Sequence, residues 1–482
     1  MSVEYDLVVI GGSLEGIFAA VSAASLNARV ALVEQPNKGY WGDCEAIYNS
    51  TFSHVASLCK RLEMAVQIGV YQPTPDLGIQ LTQVASWARE VNAILSERHS
   101  PAILASLGID IIRGSGEFCR LPRQAFVVGD KKLRSRKYMI ATGSHFVIPD
   151  IKGIEAVGYL TPNDLWQEDK LESLPFNLAI VGESPVAIQL AQNFSQIGRS
   201  VALVVEDRHL LSTEDLEAAR LIQAQLEASG VEILLESPVT QVLRIEEKKW
   251  LQAGDRAIEA DEIILVGKQK ANVEGLNLEG VGVRVDDRGI QLNEKLQTTN
   301  PRIYACGSVA GGYSLTHVAR YEASIALKNA LFLPLLKVDY RTIPYVMFTN
   351  PPLARVGMTE AQAKRRYGKD VWVVKQDFKA SDRAQLLGET TGFCKLVIQG
   401  NGEILGAHVV GAQAGELIGA IALMIKNKIK LGSIANISFP WLTFSEIFQK
   451  LAFEWQSQRF KTNKTLQNCL ENLFICLRNF SS

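Results

Sequence analysis

Two short turns rich in small residues and one cysteine carry most of the chemistry this chain can do. The first turn is Gly11-Gly12-Ser13-Leu14-Glu15-Gly16. Such a turn at the start of a helix presents backbone N–H groups and the positive end of a dipole to a phosphate. Gly11 permits the tight bend. Ser13 stands where a middle glycine would let the backbone approach a pyrophosphate, hindering that approach slightly. Gly16 lets helix and strand lie close. Glu34 is placed to accept hydrogen bonds from a ribose diol. The second turn is Gly182-Glu183-Ser184-Pro185-Val186-Ala187, with Ser184 and Ala187 at the other two glycine positions and Glu206 closing the strand that follows. The cysteine is Cys44, within Tyr40-Trp41-Gly42-Asp43-Cys44-Glu45-Ala46-Ile47-Tyr48-Asn49. It has no second cysteine nearby to form a dithiol.

These groups need elements to hold them. Tyr5-Asp6-Leu7-Val8-Val9-Ile10 reads as a buried parallel strand, 17–26 as an Ala-rich helix and 29–33 as a second strand, so the first turn sits in a βαβ unit. Asn177-Leu178-Ala179-Ile180-Val181, a helix over 185–197 and a strand over 201–205 repeat the pattern around the second turn. Tyr138-Met139-Ile140-Ala141-Thr142-Gly143-Ser144 is a strand that runs into a turn of small residues. The stretch 299–312 reads T-N-P-R-I-Y-A-C-G-S-V-A-G-G and precedes a helix over 315–331.

In this order the segments resemble the FAD motifs of the pyridine nucleotide-disulfide oxidoreductases, the family of dihydrolipoamide dehydrogenase, glutathione reductase and mercuric reductase. The resemblance covers residues 4 to about 456. It implies an α/β fold with two Rossmann-like dinucleotide-binding domains, one for FAD and one for NAD(P), and a C-terminal α+β dimerisation domain. The implied boundaries are 1–150 and 273–340 for the FAD domain, 151–272 for the NAD(P) domain, 341–460 for the interface domain and 461–482 for an amphipathic tail. For FAD it implies Gly11, Gly12, Ser13, Gly16, Glu34, Gly42, Asp43, Gly116, Ala141, Thr142, Gly143, Gly307 and Ser308. Ser308 stands where the family has an aspartate on the ribityl chain. For NAD(P) it implies Gly182, Ser184, Ala187, Gln189 and Glu206. Acid at Glu206 favours NADH over NADPH, because it would bond a 2′-hydroxyl and repel a 2′-phosphate, while Arg208 pulls the other way.

The departures bear on activity. The family carries two cysteines separated by four residues. Here Cys44 is present and Asn49 occupies the partner position, so the disulfide relay from flavin to substrate is lost. The family's flavin-side lysine and glutamate become Ser53 and Gln189. The C-terminal His-Pro-Thr segment becomes Phe439-Pro440-Trp441-Leu442-Thr443-Phe444-Ser445-Glu446, without the acid/base histidine and nearest the mercuric reductase form. His408 and His317 read as packed or half-exposed residues, and Cys306 as a packed residue beside the cofactor. Cys59, Cys119 and Cys394 read as small buried hydrophobes.

With 482 residues, 47% apolar and 21% charged, and a net charge of −1, the chain has a multidomain length and no electrostatic case for nucleic acid. Its seven cysteines form no C-x-x-C pair, the pattern of reduced cytoplasmic thiols. No metal site is expected. The polar start argues against a signal peptide. In the tail, Leu466, Leu470, Leu473, Leu477 and Phe480 recur at helical spacing beside Arg459, Lys461, Lys464 and Arg478. That pattern suits docking on the chain's own dimer, or contact with a membrane surface or protein partner. The function expected is an FAD-dependent NAD(P)H oxidoreductase, a homodimer that passes electrons from flavin to a small acceptor. A non-catalytic FAD-binding scaffold and a mixed-disulfide enzyme using Cys44 are the alternatives.

Overall fold

The computed structural model describes residues 3–35, 41–70, 79–120, 123–167, 170–171 and 173–480, with the side chains of 41–46 and 63 outside the description. The strand Tyr5–Ile10 is buried from Leu7 onward, and its run of β-branched and leucine side chains suits a sheet covered on both faces. It pairs in parallel with Val30–Glu34 on one side and Ser135–Ile140 on the other. Ile109–Arg113 and Ile303–Ala305 extend the sheet at its two edges, also in parallel. The helices Leu14–Ala24 and Thr316–Leu331 bury their alanine-rich faces, Ala19, Ala20 and Ala23 from one and Ala323, Ala326 and Ala330 from the other, in one core with Leu7, Val9, Met139 and Tyr304. Small side chains permit that close approach.

A second parallel sheet has the order Val231–Leu234, Ser200–Val204, Asn177–Val181, Glu262–Leu265. Pro185–Gln196 is its first crossover helix, with Pro185 at the helix start, where a missing N–H costs nothing. A third sheet is antiparallel and runs Tyr345–Met347, Leu353–Gly357, Ile404–Val410, Phe393–Gln399, Val371–Asp377. The helices Ala414–Lys426 and Glu446–Thr462 share its core through Leu417, Ile421, Leu451 and Trp455.

The chain divides into two compact units. One comprises residues 1–59, 72–206 and 232–338, and the other 60–71, 207–231 and 339–482. Both nucleotide-type turns lie in the first unit and the antiparallel sheet lies in the second. The α/β class and the C-terminal α+β region read from the sequence are both present.

Candidate functional site

The first turn is built around Gly11, whose φ is +116° and whose added Cβ would overlap the Ala141 carbonyl. Only glycine meets both conditions. A Cβ on Gly16 would in turn overlap the Gly11 carbonyl. Ser13 is a structural part of the turn. Its backbone lies at φ −58°, ψ 161°, open to any residue, and its hydroxyl points inward. That hydroxyl donates to the Ala141 carbonyl at 3.0 Å and accepts from the Gly16 N–H at 3.3 Å, capping the helix. Serine therefore clips this turn to the next one. Glu34 ends its strand as expected and pairs with Arg113 at 3.2 Å. Beside it, a cavity of about 410 Å³ is lined by Gln35, Ser115, Gly116 and Glu274. Glycine at 116 is required by strand packing, since a Cβ there would lie 2.5 Å from the Val127 carbonyl oxygen.

The second side of the site is the turn at 141–143. Gly143 has φ +71°, and the nearest atoms to an added Cβ would be Asn272 Nδ2 and Ser308 Oγ, both at 3.9 Å. Three sequence-remote residues thus meet at one point. Asn272 is 5% exposed and holds the turn. Its Nδ2 donates to the Thr142 carbonyl at 2.9 Å, and Thr142 Oγ1 donates to the Asn272 carbonyl at 2.7 Å. His145 Nδ1 lies 2.6 Å from Asn272 Oδ1. Neither the Asn272–Thr142 clasp nor His145 carries a motif signal in the sequence. Gly307, at φ +77°, donates its N–H to buried Glu322 at 2.8 Å. A Cβ on Gly307 would meet Glu15 Oε1 at 2.5 Å. Cys306 is fully buried, and burial first, then the Glu15 and Glu322 charges, push its thiol well above the ordinary cysteine range. It stays a neutral packed thiol, as expected.

Gly42, Asp43 and Cys44 fall in the first turns of the helix Trp41–Gln67, and their side chains lie outside the described residues. Further along that helix the environment is defined. Asn49 is 7% exposed with no hydrogen-bond partner for its Oδ1. Tyr48 stacks on Trp166, ring centroids 5.2 Å apart and planes 13° apart, and Phe52 contacts both Trp166 and Phe194. Ser53 does not pair with Gln189. Its hydroxyl accepts from Asn193 Nδ2 at 2.9 Å, one helical turn beyond Gln189. At the position where the family resemblance implies the lysine, a neutral hydroxyl–amide bond to Asn193 is thus present. Asn193 carried no motif signal, because i+4 neighbours are visible only once the helix face is known.

At the second turn Gly182 has φ +149°, and its Cβ would sit 2.5 Å from the Val266 carbonyl oxygen. Ser184 caps the helix by accepting from Ala187 N–H at 3.3 Å, and Ala187 is buried. Gln189 is half-buried, while Glu183 and Glu206 are exposed. The helix start can bind an anion, although Pro185 contributes no N–H and Glu183 adds like charge.

Of the remaining thiols, Cys394 is buried, whereas Cys59 and Cys119 are only partly so, which corrects the expectation of burial for those two. Cys59 lies within the helix Trp41–Gln67 and Cys119 closes the short strand Gly116–Cys119. His408 is fully buried and His317 exposed. Among the described residues, no three His, Cys, Asp or Glu side chains gather as a metal-binding group.

Residues 5–323 match the family described as pyridine nucleotide-disulphide oxidoreductase, and residues 343–452 match its dimerisation domain. A mercuric reductase from Staphylococcus aureus is 32% identical over 457 residues, covering 92% of this chain and 81% of the relative. A dihydrolipoyl dehydrogenase from Bacillus subtilis is 28% identical, covering 91% and 96%. Among solved structures, the HOCl-induced flavoprotein disulfide reductase RclA from Escherichia coli superposes with a TM-score of 0.81 at 26% identity, covering 93% of this chain and 99% of that one. LpdA from Mycobacterium tuberculosis shares the fold at a TM-score of 0.84 and 24% identity.

Proposed function

Because the chain belongs to the pyridine nucleotide-disulphide oxidoreductase family, we propose that it is an FAD-dependent NAD(P)H oxidoreductase that delivers electrons to a small acceptor without an intrachain disulfide. Family members are FAD-dependent NAD(P)H oxidoreductases. Position 49 carries the reading. Where the family resemblance implies a partner thiol for Cys44, the chain has a buried Asn49 whose Oδ1 has no partner. Beside it Tyr48 is stacked on Trp166. An amide cannot form a disulfide, so any acceptor must be reduced by another route.

Gly11, Gly12, Ser13 and Gly16 would hold the FAD pyrophosphate at the helix start, Glu34 the ribose, and Ala141, Thr142, Gly143, Gly307 and Ser308 the chain toward the flavin. The residues fit such a group, since both turns demand glycine, Gly11 packs on Ala141 and Gly143 lies beside Asn272 and Ser308. Bound FAD would supply hydride acceptance from a nicotinamide and electron donation to the acceptor. The protein's own part is positional. Ser13 locks one turn to the other, the Thr142–Asn272 clasp fixes the second, and the neutral Ser53–Asn193 bond removes the charge pair that a Lys–Glu site would bring. Gly182, Ser184, Ala187 and Gln189 would face the NAD(P) cofactor, and Glu206 favours NADH. The dimerisation domain makes a homodimer the expected assembly, and segment 461–482 is read as its attachment surface for a membrane or another protein.

Anaerobic titration of the purified yellow protein with NADH and with NADPH, followed at the flavin band near ~450 nm, tests the reading. Rapid bleaching, stronger with NADH, is the expected result. Flavin that stays oxidised under both leaves a non-catalytic FAD-binding scaffold. Cys44→Ser keeps acceptor turnover under the direct route. Loss of turnover with bleaching intact would assign Cys44 to a mixed disulfide with an external thiol.

A further inference from the structure

The helix Lys464–Phe480 is a 17-residue element with no buried residue. It starts cleanly. Asn463 caps it by accepting from Leu466 N–H at 3.0 Å, and Gln467 Nε2 ties it to the Phe460 carbonyl at 2.7 Å. At 100° per residue, Cys476, Cys469, Phe480, Leu473, Leu466, Leu477, Leu470 and Phe474 fill one arc of about 160°. Apart from Thr465 at one boundary and Ile475, the rest of the surface is Lys, Arg, Glu, Gln and Asn. The apolar arc is open to solvent: Phe480 is 90% exposed, Phe474 55%, Leu477 52% and Leu473 50%. An open groove of about 690 Å³ runs along its edge, floored by Leu470, Phe474 and Leu477 with Glu471 and Arg478 at its lining.

We propose that this helix lies in the surface of a lipid bilayer containing anionic headgroups and holds the flavoprotein there. The proposal deepens the attachment reading given above and is independent of which acceptor the flavin serves. Charge decides for a membrane. Between 459 and 480 there are four cations, Arg459 and Lys461 at the end of the preceding helix Glu446–Thr462 and Lys464 and Arg478 on this one, against one acid, Glu471, in a chain whose overall net charge is −1. A two-faced helix in a cationic segment is what an anionic interface binds, its apolar side in the acyl boundary and the segment's net positive charge drawn to the headgroup layer. The same arc suits a second copy of the helix less well. The Leu466–Leu470–Leu473–Leu477–Phe480 seam spans only about two heptads, short for a stable coiled coil. Its flanking positions hold Gln467, Phe474, Cys469 and Cys476, none of them charged to select a partner helix. The charged residues Lys464, Glu471 and Arg478 recur every seven residues on the side away from the seam. Among the described residues no helix is long and apolar enough to cross a membrane, so the contact is interfacial.

Flotation of the full-length FAD-loaded protein with vesicles of phosphatidylcholine, with and without phosphatidylglycerol, tests this. The expected result is recovery with the anionic vesicles, weakening as salt is raised. Leu473→Glu with Leu477→Glu lowers the bound fraction about tenfold or more, because two charges enter the apolar arc. The flavin spectrum and the assembly mass by light scattering remain those of the parent. Lys464→Gln with Arg478→Gln weakens binding to anionic vesicles selectively. No flotation with either vesicle overturns the proposal. So does a change in assembly mass in the Leu473→Glu, Leu477→Glu protein, which assigns the helix to contacts between copies. Nicotinamide bleaching of the flavin is read separately, so failure here leaves the redox reading standing.

Discussion

Gly11 shows how one side chain's absence can set a site. Its φ of +116° and the Ala141 carbonyl against it leave no room for a methyl group. Gly11→Ala should therefore destabilise by about 1–3 kcal/mol, from left-handed strain and backbone overlap together, and should lower the flavin-to-protein absorbance ratio of the purified protein. A ratio and melting midpoint equal to the parent's would refute this account of the turn. At the opposite extreme, His408 is a residue defined by what surrounds it. It is fully buried with neither ring nitrogen partnered, facing Asp215, Arg355 and Lys395. Burial, reinforced by Arg355 and Lys395 against the pull of Asp215, lowers it from 6.5 to about 4. In the unfolded chain it protonates near 6.5, so folding disfavours the proton. The stability is whole above about pH 6.5, drains as pH falls toward 4, and is lost below that, by up to about 3 kcal/mol. His408→Leu should flatten the stability profile between pH 6.5 and 4, read from denaturant midpoints at fixed pH. An unchanged slope would mean that other groups set the acid sensitivity.

At the scale of elements, the sequence showed its two βαβ units well, because apolar strands, alanine-rich helices and left-handed glycines leave local marks. The helix expected over 185–197 lies within a residue of Pro185–Gln196, and that over 315–331 within a residue of Thr316–Leu331. Pairings across the fold were hidden. Nothing in the letters announces that Ser53 meets Asn193, or that Asn272 grips Thr142, because each contact joins segments over a hundred residues apart. The row Tyr345–Arg355–His408–Lys395, which crosses the antiparallel sheet in register, is set by strand pairing. It faces the start of the helix Leu216–Ala228, where Glu214 meets Arg355 at 2.8 Å and Asp215 meets Lys395 at 3.0 Å. Asp215 is also that helix's cap, accepting from Glu217 N–H at 3.2 Å. These two roles separate by substitution. Asp215→Asn keeps the cap and loses the charge, and should cost about 1–2 kcal/mol because Lys395 retains Glu360 at 2.7 Å. Asp215→Ala loses both and should cost about 1 kcal/mol more. Equal melting midpoints for the two variants would show that the cap contributes nothing.

For the whole molecule, the second unit leaves large apolar side chains in water that a monomer would have reason to cover. Trp441 is 73% exposed, Leu423 63% and Phe453 53%. Trp441 and Leu423 lie in the region that matches the family's dimerisation domain, and Phe453 directly follows it. Leu442, next to Trp441, is held at φ +60°, an uncommon conformation for a leucine, and Trp441 Nε1 reaches Asp382 at 3.4 Å. A segment fixed in an uncommon conformation while presenting tryptophan to solvent suits a surface shaped for a second subunit. In a two-fold dimer each substitution counts twice. Burying a leucine or tryptophan contributes roughly 1.5–3 kcal/mol per side chain, so Leu423→Glu with Trp441→Glu should weaken association by about 5 kcal/mol or more, over three orders of magnitude in Kd. Light scattering at micromolar protein should then report a monomer where the parent is a dimer. Because both nucleotide turns lie in the other unit, the monomer should keep its yellow colour. A variant that remains dimeric would move the interface off this face. A monomer that loses its flavin would mean that cofactor retention depends on the assembly and not on the first unit alone.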